Sequence, residues 1–148
     1  MAWSRTRLSG AWWALRLALG LGMLAAGVDK FFDLLATWSM YLSPTVERLL
    51  PVPAETFLRA VGVMEVLLGI LILSRWTRLG AFLTALWLVA IAVNLAIAGS
   101  FWDLALRDLL IGVSSFTLGR LTEWHDAVAR SRVGRGEANV ARPIAVAH

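Results

Sequence analysis

The chain has 148 residues, of which 59% are hydrophobic, and its mean hydropathy is +0.71. Soluble domains contain roughly 45–50% apolar residues, so the composition excludes an ordinary soluble fold and predicts one domain in a lipid bilayer. Cysteine is absent, which excludes disulfides and thiolate metal sites, and both histidines lie in the polar C-terminal part. The net charge of +4 comes mainly from arginines beside apolar runs, so we expect a membrane topology signal and no nucleic-acid partner.

The first apolar segment, residues 11–29, follows a basic N-terminus at residues 1–10. A signal peptide and a retained membrane helix share this arrangement. We favour the retained helix, because the run suits a bilayer core about 30 Å thick and Arg16 interrupts what would be the signal core. Arg16 is expected to reach the cytoplasmic headgroups. Gly20 and Gly27 share a helical face, which allows a neighbouring helix to approach closely.

A mixed aromatic and polar stretch, residues 31–42, comes next and is too polar to span a membrane. Its Trp38 and Tyr41 suit the headgroup boundary, so we predict an interfacial segment with helical turns. A short helical turn at residues 45–50 follows, and the prolines at 51 and 53 prevent it from continuing.

The second predicted span, residues 54–74, carries Glu65 near its middle, with Gly62 and Gly69 on the same face. A charge near the bilayer centre costs roughly 2.5–3.5 kcal/mol. Glu65 should therefore have partners on other helices. The third span, residues 79–99, contains no charged residue and carries Asn94.

The fourth span, residues 101–119, begins with Asp103 and Arg107, which are four residues apart and can pair along one helix face. Beyond it, residues 122–148 are predicted to form a frayed helix end and a flexible basic tail. Four spans place both termini and the Arg75/Arg78 turn on one side, which the positive-inside rule makes cytoplasmic. The predicted fold is an all-α, antiparallel four-helix bundle in the membrane.

This topology brings eight polar residues of the four spans to similar depth in the outer leaflet. They are Asp29, Lys30, Arg59, Glu65, Asn94, Asp103, Arg107 and Asp108. Two interpretations remain open. The residues form a buried, compensated ion network that fixes helix register, or they line an outward cavity where Glu65 or Asp108 binds a polar headgroup, a quinone oxygen or a proton.

Small and charged residues recur at particular places along the spans. They are Arg16, Gly20 and Gly27-Val28-Asp29-Lys30-Phe31, then Gly62-Val63-Met64-Glu65 and Gly69, then Arg75, Arg78 and Gly80-Ala81, and finally Asp108. With this set, residues 15–121 resemble the DoxX family of small four-helix bacterial membrane proteins. Members of that family are similar to subunits of thiosulfate:quinone oxidoreductases or to membrane partners of thiol-oxidative-stress enzymes.

The resemblance implies a bacterial inner-membrane location and an accessory or quinone-linked redox role. Because the chain has no cysteine and no histidine in its apolar part, we do not expect it to be an enzyme alone. A redox role would need a bound quinone or a partner subunit. The leading hypothesis is an accessory or anchoring subunit of a larger redox-linked complex or homo-oligomer. The alternative is a quinone- or lipid-binding protein that uses the cluster around Glu65, and a proton-coupled transporter is a third, weaker hypothesis.

Overall fold

The computed structural model describes the backbone of residues 2–140 and the side chains of residues 8–131. Within residues 2–140 it contains helices and no strand, which confirms the all-helical class. The helices are α1 (Ala2–Asp29), a 3-10 turn (Trp38–Tyr41), α2 (Pro44–Leu49), α3 (Ala54–Leu73), α4 (Thr77–Ala98) and α5 (Trp102–Val140). The last eight residues of the predicted tail, 141–148, lie outside the described residues.

Local sequence signals set where several helices begin and end. Ser43 precedes α2, and its Oγ accepts a hydrogen bond of 3.2 Å from the backbone N–H of Val46. Pro44 occupies the first turn of α2, where its missing N–H costs nothing. Gly99 follows α4 with a φ of 77°, a left-handed conformation that favours glycine and ends the helix.

Helices α1 and α3 pack antiparallel with their backbones in direct contact at glycines. A Cβ atom added to Gly27 would lie 2.6 Å from the carbonyl oxygen of Gly62, and one added to Gly69 would lie 2.8 Å from that of Gly20. The glycine faces predicted on the first and second spans therefore lie against each other. Their contact sets the register between the two helices.

Helices α4 and α5 also pack antiparallel. Side-chain hydrogen bonds link α5 to α4 and to α1. The buried Ser115 Oγ donates to the carbonyl oxygen of Ala81 at 2.9 Å, which links α5 to α4. Trp12 Nε1 donates to Thr122 Oγ1 at 2.8 Å, which links α1 to α5. The four long helices thus contact one another through polar bonds as well as apolar packing.

Helix α5 continues to Val140, well beyond the predicted end of the fourth span at residue 119. The expected frayed end after residue 121 is therefore not present in the described chain. The extension has contacts that hydropathy does not reveal. His125 stacks on the Trp12 ring with centroids 4.8 Å apart, and the Arg120 guanidinium pairs with the Glu123 carboxylate at 2.5 Å.

The outer faces of the long helices are apolar and exposed. Among the described residues, three helical segments are long and apolar enough to cross a membrane: Leu8–Asp29, Ala54–Leu73 and Thr77–Ala98. Within each, only about a third of the most apolar window is buried by the protein itself. Since so much exposed hydrocarbon surface is unfavourable in water, the protein is a multi-pass membrane protein with lipid around these faces.

Candidate functional site

A buried ion pair joins the end of α1 to the middle of α3. Lys30 Nζ lies 2.6 Å from Glu65 Oε2, and the two side chains are only 5% and 3% exposed. The close approach at Gly62 brings them together, because a Cβ on Gly62 would lie 3.1 Å from the Cβ of Lys30. Glu65 therefore has a partner on another helix, as its position in an apolar span predicted.

Two tryptophans complete the surroundings of this pair. Trp87 Nε1 of α4 donates a hydrogen bond of 3.3 Å to Glu65 Oε1, so each carboxylate oxygen has a partner. Lys30 Nζ lies 3.6 Å from the centroid of the Trp38 ring, in cation–π geometry. The sequence analysis missed both contacts. Trp87 precedes Asn94 by seven residues, which is close to two helical turns. The two side chains therefore lie on the same face of α4, and this spacing could have indicated Trp87.

Asp29 is the last residue of α1, and its side chain binds the loop that follows. Its carboxylate accepts hydrogen bonds from the backbone N–H groups of Leu34 and Leu35, at 3.0 and 2.9 Å. It also accepts one of 2.8 Å from Trp38 Nε1. Asp29 thereby holds Trp38 over the Lys30 ammonium group, and its own acceptor sites are used within the protein.

Asp108 is buried, like Asp29 and Glu65. Its side chain is 9% exposed, and its Oδ1 lies 3.2 Å from Nε of the neighbouring Arg107, whose side chain is 58% exposed. Arg107 therefore balances the charge of Asp108 from a more exposed position.

The predicted pair between Asp103 and Arg107 is not formed among the described side chains. Asp103 is exposed, and Arg107 contacts Asp108 instead. Asp108 follows Asp103 by five residues, which places the two carboxylates about 140° apart around the helix. Asp108 is on the buried side and Asp103 is not.

Arg59 also lies outside the buried network. Its Nη2 pairs with Glu55 Oε1 at 2.6 Å, four residues earlier on α3, and both side chains are exposed. Six residues separate Arg59 from Glu65, which places them about 120° apart around α3. Lys30, and not Arg59, therefore neutralises Glu65.

Asn94 has a different role from the one expected for it in the ion cluster. Its Nδ2 donates to the carbonyl oxygen of Tyr41 at 2.7 Å, and its Oδ1 accepts from the backbone N–H of Ser43 at 3.1 Å. The amide thus pairs with an acceptor and a donor of the chain between α1 and α3. Asn94 attaches that connection to α4.

Arg16 contacts the end of α3. Its guanidinium donates hydrogen bonds to the carbonyl oxygens of Ile72, Leu73 and Ser74, at 3.0, 2.5 and 2.7 Å. Those carbonyls end the helix and carry its partial negative charge. Arg16 thus has acceptors on a packed helix, and its reach to the cytoplasmic headgroups stays a prediction.

Within residues 8–131, no three histidine, aspartate or glutamate side chains converge at metal-binding distance. One buried hydroxyl, Thr84 Oγ1 on α4, has no hydrogen-bond partner among the described residues. Among the three buried carboxylates Asp29, Glu65 and Asp108 of the described residues, Asp108 has the fewest partners, because only Arg107 contacts it.

A comparison with known protein families matches residues 11–97 of the chain, more than half of its length, to the DoxX family. The chain belongs to the DoxX family. The matched part of this DoxX protein contains Lys30, Glu65, Trp87 and Asn94 and ends before α5 with its Arg107 and Asp108. No curated protein and no solved structure matches the chain.

Proposed function

We propose that this DoxX protein crosses the bacterial inner membrane four times and has both termini in the cytoplasm. Helix α5 supplies the fourth span; its charged residues Arg107 and Asp108 contact each other, which lowers the cost of placing them in the bilayer. The basic residues Arg75 and Arg78 follow α3, on the side where α1 begins, in agreement with the positive-inside rule. The connection between α1 and α3, attached by Asn94, lies at the outer interface.

We further propose that the protein is an accessory or anchoring subunit of a larger, redox-linked membrane complex. The observation that carries this proposal is the Lys30–Glu65 pair, because both carboxylate oxygens and the ammonium group are engaged by the protein's own side chains. A pair with all its groups occupied stabilises a helix arrangement and leaves little capacity to bind a substrate. The redox link rests on membership of the family alone.

The test is purification of the full chain from its native membrane in a mild detergent, followed by mass spectrometry of all proteins that elute with it. A stoichiometric set of larger subunits supports the accessory role. A matched control uses the same membranes with a tagged multi-pass protein of unrelated family. Elution of the protein as a lone monomer in this extraction contradicts the proposal.

A second candidate function is binding of a quinone or a lipid at the cluster around Glu65, and Asp108 is the observation that favours it. Its carboxylate is buried, and its nearest cation, Arg107, is half exposed. A buried carboxylate with so few partners can accept a hydrogen bond from a ligand or, when protonated, donate one.

Quantification of quinone and lipid in the purified protein tests this second candidate. Asp108→Asn should lower the content of that ligand several-fold, whereas Arg59→Gln should leave it unchanged. Equal content in both variants contradicts this candidate.

A further inference from the structure

Two grooves open on the surface of α4, and neither is lined by Lys30 or Glu65. The first, here the head groove, has a volume of ≈ 520 Å³ and is lined by Arg75, Trp76, Arg78, Leu79 and Phe82. The second, here the chain groove, has a volume of ≈ 390 Å³ and runs between α4 and α5. Its lining includes Leu86, Val89, Leu109, Gly112 and Phe116. Phe82 lines both grooves, so they meet at its ring.

The head groove is positively charged. Arg75 has no carboxylate partner among residues 8–131, and its guanidinium lies 5.8 Å from the centroid of the Trp76 ring. Arg78 pairs with Glu123 at 2.7 Å, and Arg120 pairs with the same carboxylate. Three arginines against one glutamate leave a local charge of +2. A tryptophan beside this charge is typical of a helix end at the level of lipid headgroups.

The chain groove is apolar and short enough to lie within one leaflet. From Phe82 to Val89 the α4 helix rises about 10 Å, at 1.5 Å per residue. One leaflet of a hydrocarbon core about 30 Å thick is about 15 Å deep. Gly112 lies where α5 meets α4, because a Cβ there would be 3.5 Å from the carbonyl oxygen of Ala85. Phe116 borders the groove and meets the Phe82 ring edge-on, with centroids 5.6 Å apart.

We propose that the two grooves together bind one anionic glycerophospholipid. Its phosphate lies against Arg75 and Arg78, and one of its acyl chains lies in the chain groove. Two observations favour this occupant over a protein helix. The head groove has a charge complementary to a phosphate, and it continues into an apolar groove that lies within one leaflet. The site is separate from the accessory role and from the cluster around Glu65, and it gives the protein a preference among the lipids that surround it.

The test is native mass spectrometry of the purified full chain with phosphatidylglycerol or phosphatidylcholine added at equal concentrations. The wild-type protein should bind phosphatidylglycerol more tightly. Each arginine near a lipid surface contributes about a five-fold change, so Arg75→Gln should weaken phosphatidylglycerol binding about five-fold, and the double variant with Arg78→Gln about 25-fold. Phosphatidylcholine binding should change little.

The matched control is Arg59→Gln, which removes an exposed, paired arginine of α3. The proposal is overturned when the double variant loses no more phosphatidylglycerol affinity than this control. It is also overturned when inorganic phosphate binds as tightly as the lipid. Detergent-solubilised protein is used because loss of arginines at this turn can reverse membrane topology, and binding in solution does not depend on orientation.

A second variant tests the chain groove. Val113→Trp enlarges an exposed side chain of α5 that lines the groove, and it should weaken the binding of both lipids at least three-fold. Val63→Trp is the control, because Val63 is an exposed residue of α3 that lines neither groove. Unchanged lipid binding in Val113→Trp overturns the placement of an acyl chain in this groove, and unchanged binding together with loss of a dimer would show that a second copy occupies it.

Discussion

Removal of one partner of the Lys30–Glu65 pair should destabilise the protein strongly, whereas removal of both should not. The two charges are 2.6 Å apart, which corresponds to about 6 kcal/mol of attraction at an effective dielectric constant of about 20. Most of this attraction offsets the cost of removing both ions from water. Loss of one partner exposes that cost, so Lys30→Met should lower the free energy of unfolding by about 3–5 kcal/mol.

The double variant Lys30→Met/Glu65→Leu removes both charges and keeps a similar side-chain volume. Its free energy of unfolding should lie within about 1.5 kcal/mol of the wild-type value, because neither ion is left unpaired. Each single variant, Lys30→Met or Glu65→Leu, leaves one ion unpaired and should lose about 3–5 kcal/mol. The coupling energy between the two positions should therefore be at least about 4 kcal/mol. Glu65→Gln alone should cost less than Lys30→Met, because the amide oxygen still accepts a hydrogen bond from the Lys30 ammonium group.

The measurement is unfolding of the detergent-purified protein by increasing mole fraction of sodium dodecyl sulfate, followed by tryptophan fluorescence. Arg59→Gln is the control, since its exposed pair with Glu55 should contribute only about 0.3–0.5 kcal/mol. The reasoning is refuted when Lys30→Met costs no more than this control. It is also refuted when the double variant is as unstable as the sum of its single variants.

Three further predictions use the same unfolding assay. Gly27→Ala should lower the free energy of unfolding by about 1–3 kcal/mol, because its Cβ would lie 2.6 Å from a carbonyl oxygen of α3. The control Gly22→Ala has open space around it and should be neutral or stabilising. Equal losses in the two variants would contradict the close contact between α1 and α3. Arg16→Met should cost about 2–3 kcal/mol through loss of hydrogen bonds to the end of α3, and a neutral result would place Arg16 in the headgroups. Asn94→Leu should lower the free energy of unfolding by about 1–3 kcal/mol. It should also speed hydrogen exchange at the backbone amide of Ser43, whose N–H donates to Asn94 in the native chain. Unchanged exchange would show that other contacts hold the connection between α1 and α3.

The sequence was sufficient to locate the apolar helices and to identify Glu65 as a residue that needs a partner. Hydropathy and helical periodicity are local properties, so residues 11–29, 54–74 and 79–99 correspond closely to the three membrane-competent helices. The glycine faces of the first two spans were also visible as periodic patterns, and their contact follows from the need for small residues where backbones meet.

The partners within the polar cluster depend on how each helix is rotated about its axis, and only the tertiary structure decides that. One residue corresponds to about 100° around a helix, so residues of the same helix can face different sides, as Arg59 and Glu65 do at about 120° apart. The side chain of Arg16 meets the end of α3, and that choice depended on which helix end packed beside it. Sequence alone thus determined which helices are apolar and which charged residues each of them carries, and packing determined that Lys30 is the residue that meets Glu65.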